Sequence, residues 1–119
     1  MMNRLFKKDK GTEEFSDLKE IAKHDCDYRN RLKAVEAIDD EKFLYDMAND
    51  DSNRKVMIAA VEKISNQGYL ERIAKSHSDS HVRISAIKKI SDKSVLESIY
   101  LKDSNKSVKK MAMEMLNLK

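Results

Sequence analysis

The side chains that could do chemistry in this sequence are three histidines, one cysteine and scattered carboxylates. His77 and His81 are four residues apart, a spacing that places two side chains on one face of a helix and that can bind a metal ion. No third ligand stands at a matching position, and neither histidine belongs to an HExxH arrangement. We therefore place His24 outside any cluster, His77 in a turn and His81 on a solvated helix face, and predict no metal site and no cofactor.

The other requirements of an enzyme are also missing from the sequence. Cys26 lies between Asp25 and Asp27, and neighbouring carboxylates disfavour the thiolate that a nucleophile needs. With only two glycines, the chain has no glycine-rich phosphate-binding loop. We therefore predict no catalytic residue and a protein that is not an enzyme.

Two features bear on the compartment. A lone cysteine cannot form an intramolecular disulfide, which fits a reducing compartment and predicts a cytoplasmic protein. No apolar run approaches the ~18–20 residues of a membrane span, and the charged N-terminus lacks the apolar core of a signal peptide. We expect no contact with a membrane.

The elements that must position the remaining polar residues are set by an internal repeat of 26 residues. Aligned in this register, five columns are apolar in all four copies. These columns are Leu18, Leu44, Leu70 and Leu96; Ile21, Met47, Ile73 and Ile99; Ala34, Ala60, Ala86 and Ala112; Val35, Val61, Ile87 and Met113; and Ile38, Ile64, Ile90 and Leu116.

Each repeat is predicted to form two short helices, because its apolar residues recur at helical spacing in two stripes. Proline is absent and glycine rare, which argues against an all-β chain. Polar turns separate the helices, and their Asp, Asn and Ser residues are suited to cap the helix that follows. Since one helix pair cannot bury its own stripe, the repeats are expected to stack.

The run Leu70-x-x-Ile73-Ala74 … Asp79-x-x-Val82-Arg83-x-x-Ala86-Ile87-x-x-Ile90 resembles the short bacterial and archaeal HEAT-like repeat. That repeat is related to those of phycobilisome lyases and to leucine-rich-variant repeats. The resemblance covers residues 18–119 and implies an all-α fold, an α-solenoid of about four stacked two-helix repeats. The repeats are 18–43, 44–69, 70–95 and 96–119. Since Met57 stands in the column of Arg31 and Arg83, an arginine ladder typical of the family would be broken there.

Both ends of the array depart from the repeat. Lys110 stands in the column of Leu32, Ile58 and Ile84, a column that we assign to stacking on the following repeat, so we expect the array to end there. Residues 1–17 form either a basic tail or a capping helix.

Charge is the most informative surface property. The second helices, taken as 27–38, 53–64, 79–90 and 105–116, hold 12 basic and 5 acidic residues, although the whole chain carries only +3. The HEAT-like resemblance places second helices on the concave face of a solenoid, where the exposed basic positions would be Arg29, Lys33, Lys55, Lys63, His81, Lys88 and Lys89.

This basic stripe predicts a non-catalytic scaffold module, a monomer that binds an acidic protein partner on its concave face. The alternative is a nucleic-acid-binding protein that uses the stripe and the N-terminal tail. A third possibility is an ordinary solvated face, because Glu36, Glu62 and Glu114 interrupt the stripe. A separate column, Arg31, Arg83 and Lys109, is expected to pair with aspartates in the turns.

Overall fold

The computed structural model describes residues 11–118, and their side chains from residue 17 to residue 117. This part of the chain contains eight α-helices and no β-strand, so the all-α prediction is confirmed for it. The first ten residues of the predicted tail or cap lie outside the described residues. The helices are α1 (Gly11–His24), α2 (Tyr28–Glu36), α3 (Glu41–Asp50), α4 (Arg54–Lys63), α5 (Gln67–Ser76), α6 (Ser80–Ile87), α7 (Lys93–Lys102) and α8 (Lys106–Leu118).

The chain divides into two compact units, one ending at Lys63 and the other beginning at Ile64. In the first unit, α1 packs on α2 and α3 packs on α4, and the two second helices α2 and α4 contact each other. The second unit repeats this arrangement, with α5 on α6, α7 on α8 and α6 against α8. Within each unit the helices therefore pair as the internal period predicts.

The alanine that recurs in every repeat lets the two helices of each pair lie close together. Ala34, Ala60, Ala86 and Ala112 are all completely buried. A methyl group at this position lets two helix backbones approach, whereas a longer side chain would hold them apart or strain the core. Leu44, Leu70 and Leu96, which share another column, are completely buried as well.

The apolar columns are less buried in the outer repeats. Leu18 and Ile21 in α1, and Met113 and Leu116 in α8, are only half-buried, although their columns predict a core position.

Short polar residues begin the helices, as the turn composition predicts. Asp27, Asn53, Asp79 and Asn105 each accept a hydrogen bond from the backbone N–H two residues further along, at the start of a second helix. At the start of first helices, Asp40 and Asn66 accept the backbone N–H three residues further along, and Asp92 accepts the one two residues along. These bonds satisfy amides that have no partner inside the helix.

Two of these caps carry charge-assisted contacts that hold their carboxylates ionised. A hydrogen bond from the Arg29 side chain, followed by one from its backbone, lowers the pKa of Asp27. A hydrogen bond from Lys19, 2.8 Å from its carboxylate, lowers the pKa of Asp40. Asp40 is exposed and Asp27 is half-exposed, so solvent screens both contacts and they act mainly on the local geometry of the turns.

Within residues 11–118, no helix has the length and apolar character needed to cross a membrane.

Candidate partner-binding surface

Four of the predicted basic positions lie in the first unit, and they differ in what they contact. Lys33 on α2 and Lys55 on α4 are exposed and make no ion pair within the described residues. The Arg29 side chain is also exposed, but its guanidinium binds both carboxylate oxygens of Asp27, at 3.1 and 3.0 Å. Arg29 therefore braces the turn before α2, while Lys33 and Lys55 keep their charges available to solvent.

Lys63 has a structural role that the helical pattern did not predict. Its ammonium donates to the backbone oxygen of Glu36 at 2.7 Å and to the carboxylate of Asp39 at 3.1 Å. Glu36 is the last residue of α2, whose final carbonyls have no partner inside the helix. Lys63 thus ties the end of α4 to the end of α2, and its ammonium is less accessible to a partner than those of Lys33 and Lys55.

The second unit holds the other three predicted positions. Lys88, the C-terminal cap of α6, is exposed and makes no ion pair among the described residues. His81 is exposed, and its Nδ1 lies 3.4 Å from a carboxylate oxygen of Asp79, the cap of its own helix. Lys89 is half-buried and engaged in interactions of its own. Of these three, Lys88 presents the most available positive charge.

Arg31 belongs to a different arrangement, in which a buried guanidinium joins two repeats of the first unit. Its Nε and Nη2 donate to the two carboxylate oxygens of Asp51, at 3.0 and 3.1 Å. Its Nη1 donates to the backbone oxygen of Asp25 at 2.9 Å. The side chains of Arg31 and Asp51 are only 12% and 4% exposed, and their hydrogen bonds raise the pKa of Arg31.

The second unit contains the same arrangement two periods further along. Arg83 donates from Nε and Nη2 to the carboxylate of Asp103, at 2.9 and 3.2 Å, and from Nη1 to the backbone oxygen of His77 at 2.7 Å. We call each such set of three hydrogen bonds an arginine clamp. The two clamps confirm the predicted pairing of Arg31 and Arg83 with turn aspartates, and they exclude both residues from the candidate surface.

For Lys109, the same prediction is wrong. Lys109 makes no ion pair with an aspartate in the described part of the chain, and its ammonium instead lies 6.0 Å from the centre of the Tyr100 ring. In both clamps the aspartate comes from the following repeat. Each clamp aspartate stands 20 residues after its arginine, and the described residues contain no aspartate at that distance from Lys109.

His77 lies in the predicted turn, where its ring has a structural role that the helical pattern did not predict. It stands in the column of Asp25, Asp51 and Asp103, whose carboxylates each accept the backbone N–H two residues later. In His77 the ring Nδ1 accepts this bond, from Asp79 at 3.0 Å, and the residue is only 8% exposed. An accepting Nδ1 carries no proton, so the geometry requires the tautomer with hydrogen on Nε2. The internal period is the signal that could have identified this role.

Replacing His77 tests whether the turn needs this acceptor. We expect His77→Ala to lower the free energy of unfolding by about 1–2 kcal/mol, because the Asp79 amide loses its partner in a partly buried turn. His77→Asn offers a carbonyl oxygen in place of Nδ1 and should retain most of that stability. Urea denaturation of both variants measures the difference, and equal losses would show that the acceptor is unimportant.

The described residues do not bring together a metal-binding cluster. No group of three or more His, Cys, Asp or Glu side chains in this part of the chain is placed to hold a metal ion, and the thiol of Cys26 is exposed. Comparison of the chain with known protein families, with curated proteins and with solved structures finds no match.

Proposed function

We propose that this chain is a non-catalytic protein–protein interaction module built from HEAT-like repeats. About four such repeats, stacked as an α-solenoid, would present their second helices on a concave face that binds an acidic protein partner. The internal period supports this proposal, as does the packing of second helix on second helix within each unit. Cys26 has no second cysteine with which to form an intramolecular disulfide, which supports a reducing, cytoplasmic location.

The observation that carries the proposal is the division of the basic residues into two groups. Arg31, Arg83 and Lys63 are used inside the fold, in the clamps and in the tie at the end of α2. Lys33, Lys55 and Lys88 also lie on second helices or their caps, yet they are exposed and make no ion pair among the described residues. Ammonium groups that do not serve the fold can attract a negatively charged surface and steer its approach.

Nucleic acid is the second candidate partner, because the second helices carry a net positive charge that would also suit a phosphate backbone. Two observations favour protein. Glu36, Glu62 and Glu114 are exposed on the same helices and would repel phosphates. The large hydrophobic side chains that stand exposed in the described residues are Tyr100 and Leu101, on a first helix. Among the described second helices the one aromatic residue is Tyr28, which is half-buried, so these helices offer no row of exposed rings on which bases could stack.

An affinity pull-down with the full chain, performed with and without nuclease, separates these two functions. Lysate from cells that naturally contain the protein should yield at least one protein partner that survives nuclease treatment. A partner retained in this way and released by added salt supports an acidic protein, because salt screens exposed charges over about 10 Å at 0.1 M. Loss of every partner on nuclease treatment would favour the nucleic-acid alternative.

A further inference from the structure

The turn between α5 and α6 differs from the other turns of its kind in the chemistry of its hydrogen-bond acceptor. At Asp25, Asp51 and Asp103, a carboxylate oxygen accepts the backbone N–H two residues later, at 2.9 Å in each case. In the turn before α6, the Nδ1 of His77 accepts this bond from Asp79 at 3.0 Å. A carboxylate stays an acceptor at mildly acidic pH, whereas an imidazole in water gains a second proton near about pH 6.5 and then only donates.

The His77 ring supports two further contacts of the second unit. Asp79, whose backbone it holds, caps α6 by accepting the N–H of His81 at 2.8 Å. The backbone oxygen of His77 accepts a hydrogen bond from Arg83 at 2.7 Å, and the same guanidinium binds both carboxylate oxygens of Asp103. The conformation of this one turn therefore bears on the start of α6 and on an arginine clamp.

The charged groups that the helices of the second unit bring toward this turn are engaged with partners of their own. Asp79 uses its carboxylate for the cap of α6. The other contacts are Lys75 with Glu71 on α5, Arg83 of α6 with Asp103 after α7, and Lys109 of α8 with the ring of Tyr100. A hydrogen on Nδ1 would point at the N–H of Asp79, and two donors at this separation repel each other.

We propose that His77 makes the turn between α5 and α6 a pH-sensitive switch. The neutral ring holds the turn closed, and protonation at Nδ1 releases the Asp79 N–H and loosens the cap of α6 together with the clamp at Arg83. Folding favours the neutral ring, so the stability from this bond is present above about pH 6.5 and is lost as the pH falls below it. The switch lies within the second unit and does not depend on a binding partner.

Nuclear magnetic resonance of the full wild-type chain, titrated from about pH 7.5 to about pH 5, tests this switch. At the upper pH, the imidazole nitrogens of His77, assigned by through-bond correlation, should show hydrogen on Nε2 and none on Nδ1. On acidification, the amide signal of Asp79 should shift as its hydrogen bond is lost. In urea denaturation, the unfolding equilibrium constant of the wild type should rise about fivefold relative to His77→Asn, the effect of one lost hydrogen bond.

Two variants separate this response from the titration of other groups. His77→Asn offers a carbonyl oxygen that stays an acceptor throughout this pH range, so its Asp79 amide signal should not follow the wild-type shift. His81→Asn removes the exposed imidazole that lies 3.4 Å from the Asp79 carboxylate. It should respond like the wild type, because protonation of His81 adds an ion pair with Asp79 and removes no bond. Hydrogen on Nδ1 of His77 at the upper pH, equal pH dependence in wild type and His77→Asn, or loss of the response in His81→Asn would overturn the proposal.

Discussion

Replacement of Arg83 by methionine is expected to lower the free energy of unfolding by about 3 kcal/mol. Removing one partner of a buried ion pair costs about 3–5 kcal/mol, because the other charge remains buried without compensation. The side chains of Arg83 and Asp103 are 13% and 9% exposed, which places this pair at the lower end of that range. Methionine is the matched replacement because Met57 occupies the same column and is itself buried. Urea denaturation monitored by circular dichroism measures the loss.

A second substitution should recover much of this stability. His77 shows that an imidazole Nδ1 can accept the backbone N–H of this turn in place of a carboxylate oxygen. In the double variant Arg83→Met/Asp103→His, the uncompensated charge is gone and the Asn105 amide still has an acceptor. We expect a positive coupling energy between the two positions, which a double-mutant cycle measures. Additive losses would contradict the view that Arg83 and Asp103 stabilise the fold as a pair.

Replacement of Ala60 by leucine is expected to cost about 1–3 kcal/mol through overpacking. Ala60 lies on α4 and is completely buried, so additional carbon atoms must displace a neighbouring helix or adopt strained rotamers. Thermal denaturation should show a fall in melting temperature of about 4 °C for each kcal/mol lost.

Ala37→Leu serves as the control, because Ala37 is exposed at the end of α2 in the same unit. Surface substitutions usually change stability by less than ~0.5 kcal/mol, so this variant should melt close to the wild type. An unchanged melting temperature for Ala60→Leu would contradict the assignment of the alanine column to close helix contacts.

The helices, their caps and their buried faces could be predicted from the sequence because each depends on local spacing. Asp27 and Asn53 cap helices because a short polar side chain immediately before an apolar stripe can reach the first free amides. Ala60 and Leu70 are buried because they recur at the helical spacing of the repeat. Repetition strengthened these assignments, since four aligned copies show the same columns.

The contacts of the long charged side chains could not be predicted in the same way. Lys63 lies on the helix face that the pattern assigns to solvent, yet its long stem lets the ammonium reach the end of a different helix. Arg29 folds back on Asp27, only two residues before it. A helical wheel gives the face from which a side chain leaves the backbone, but it contains no distance between helices. The division of the basic residues into paired and unpaired groups therefore required the structure.

The most direct test of the proposed function compares two charge-reversed variants for binding to the partner recovered in the pull-down. Lys55→Glu/Lys88→Glu changes two of the exposed second-helix lysines that make no ion pair among the described residues. Lys93→Glu/Lys102→Glu makes the same change in net charge at the two ends of α7, a first helix. Isothermal titration calorimetry should show a large loss of affinity for the Lys55/Lys88 variant and near wild-type affinity for the Lys93/Lys102 variant. Equal affinities for both variants, or a loss confined to the α7 variant, would contradict partner binding on the second helices.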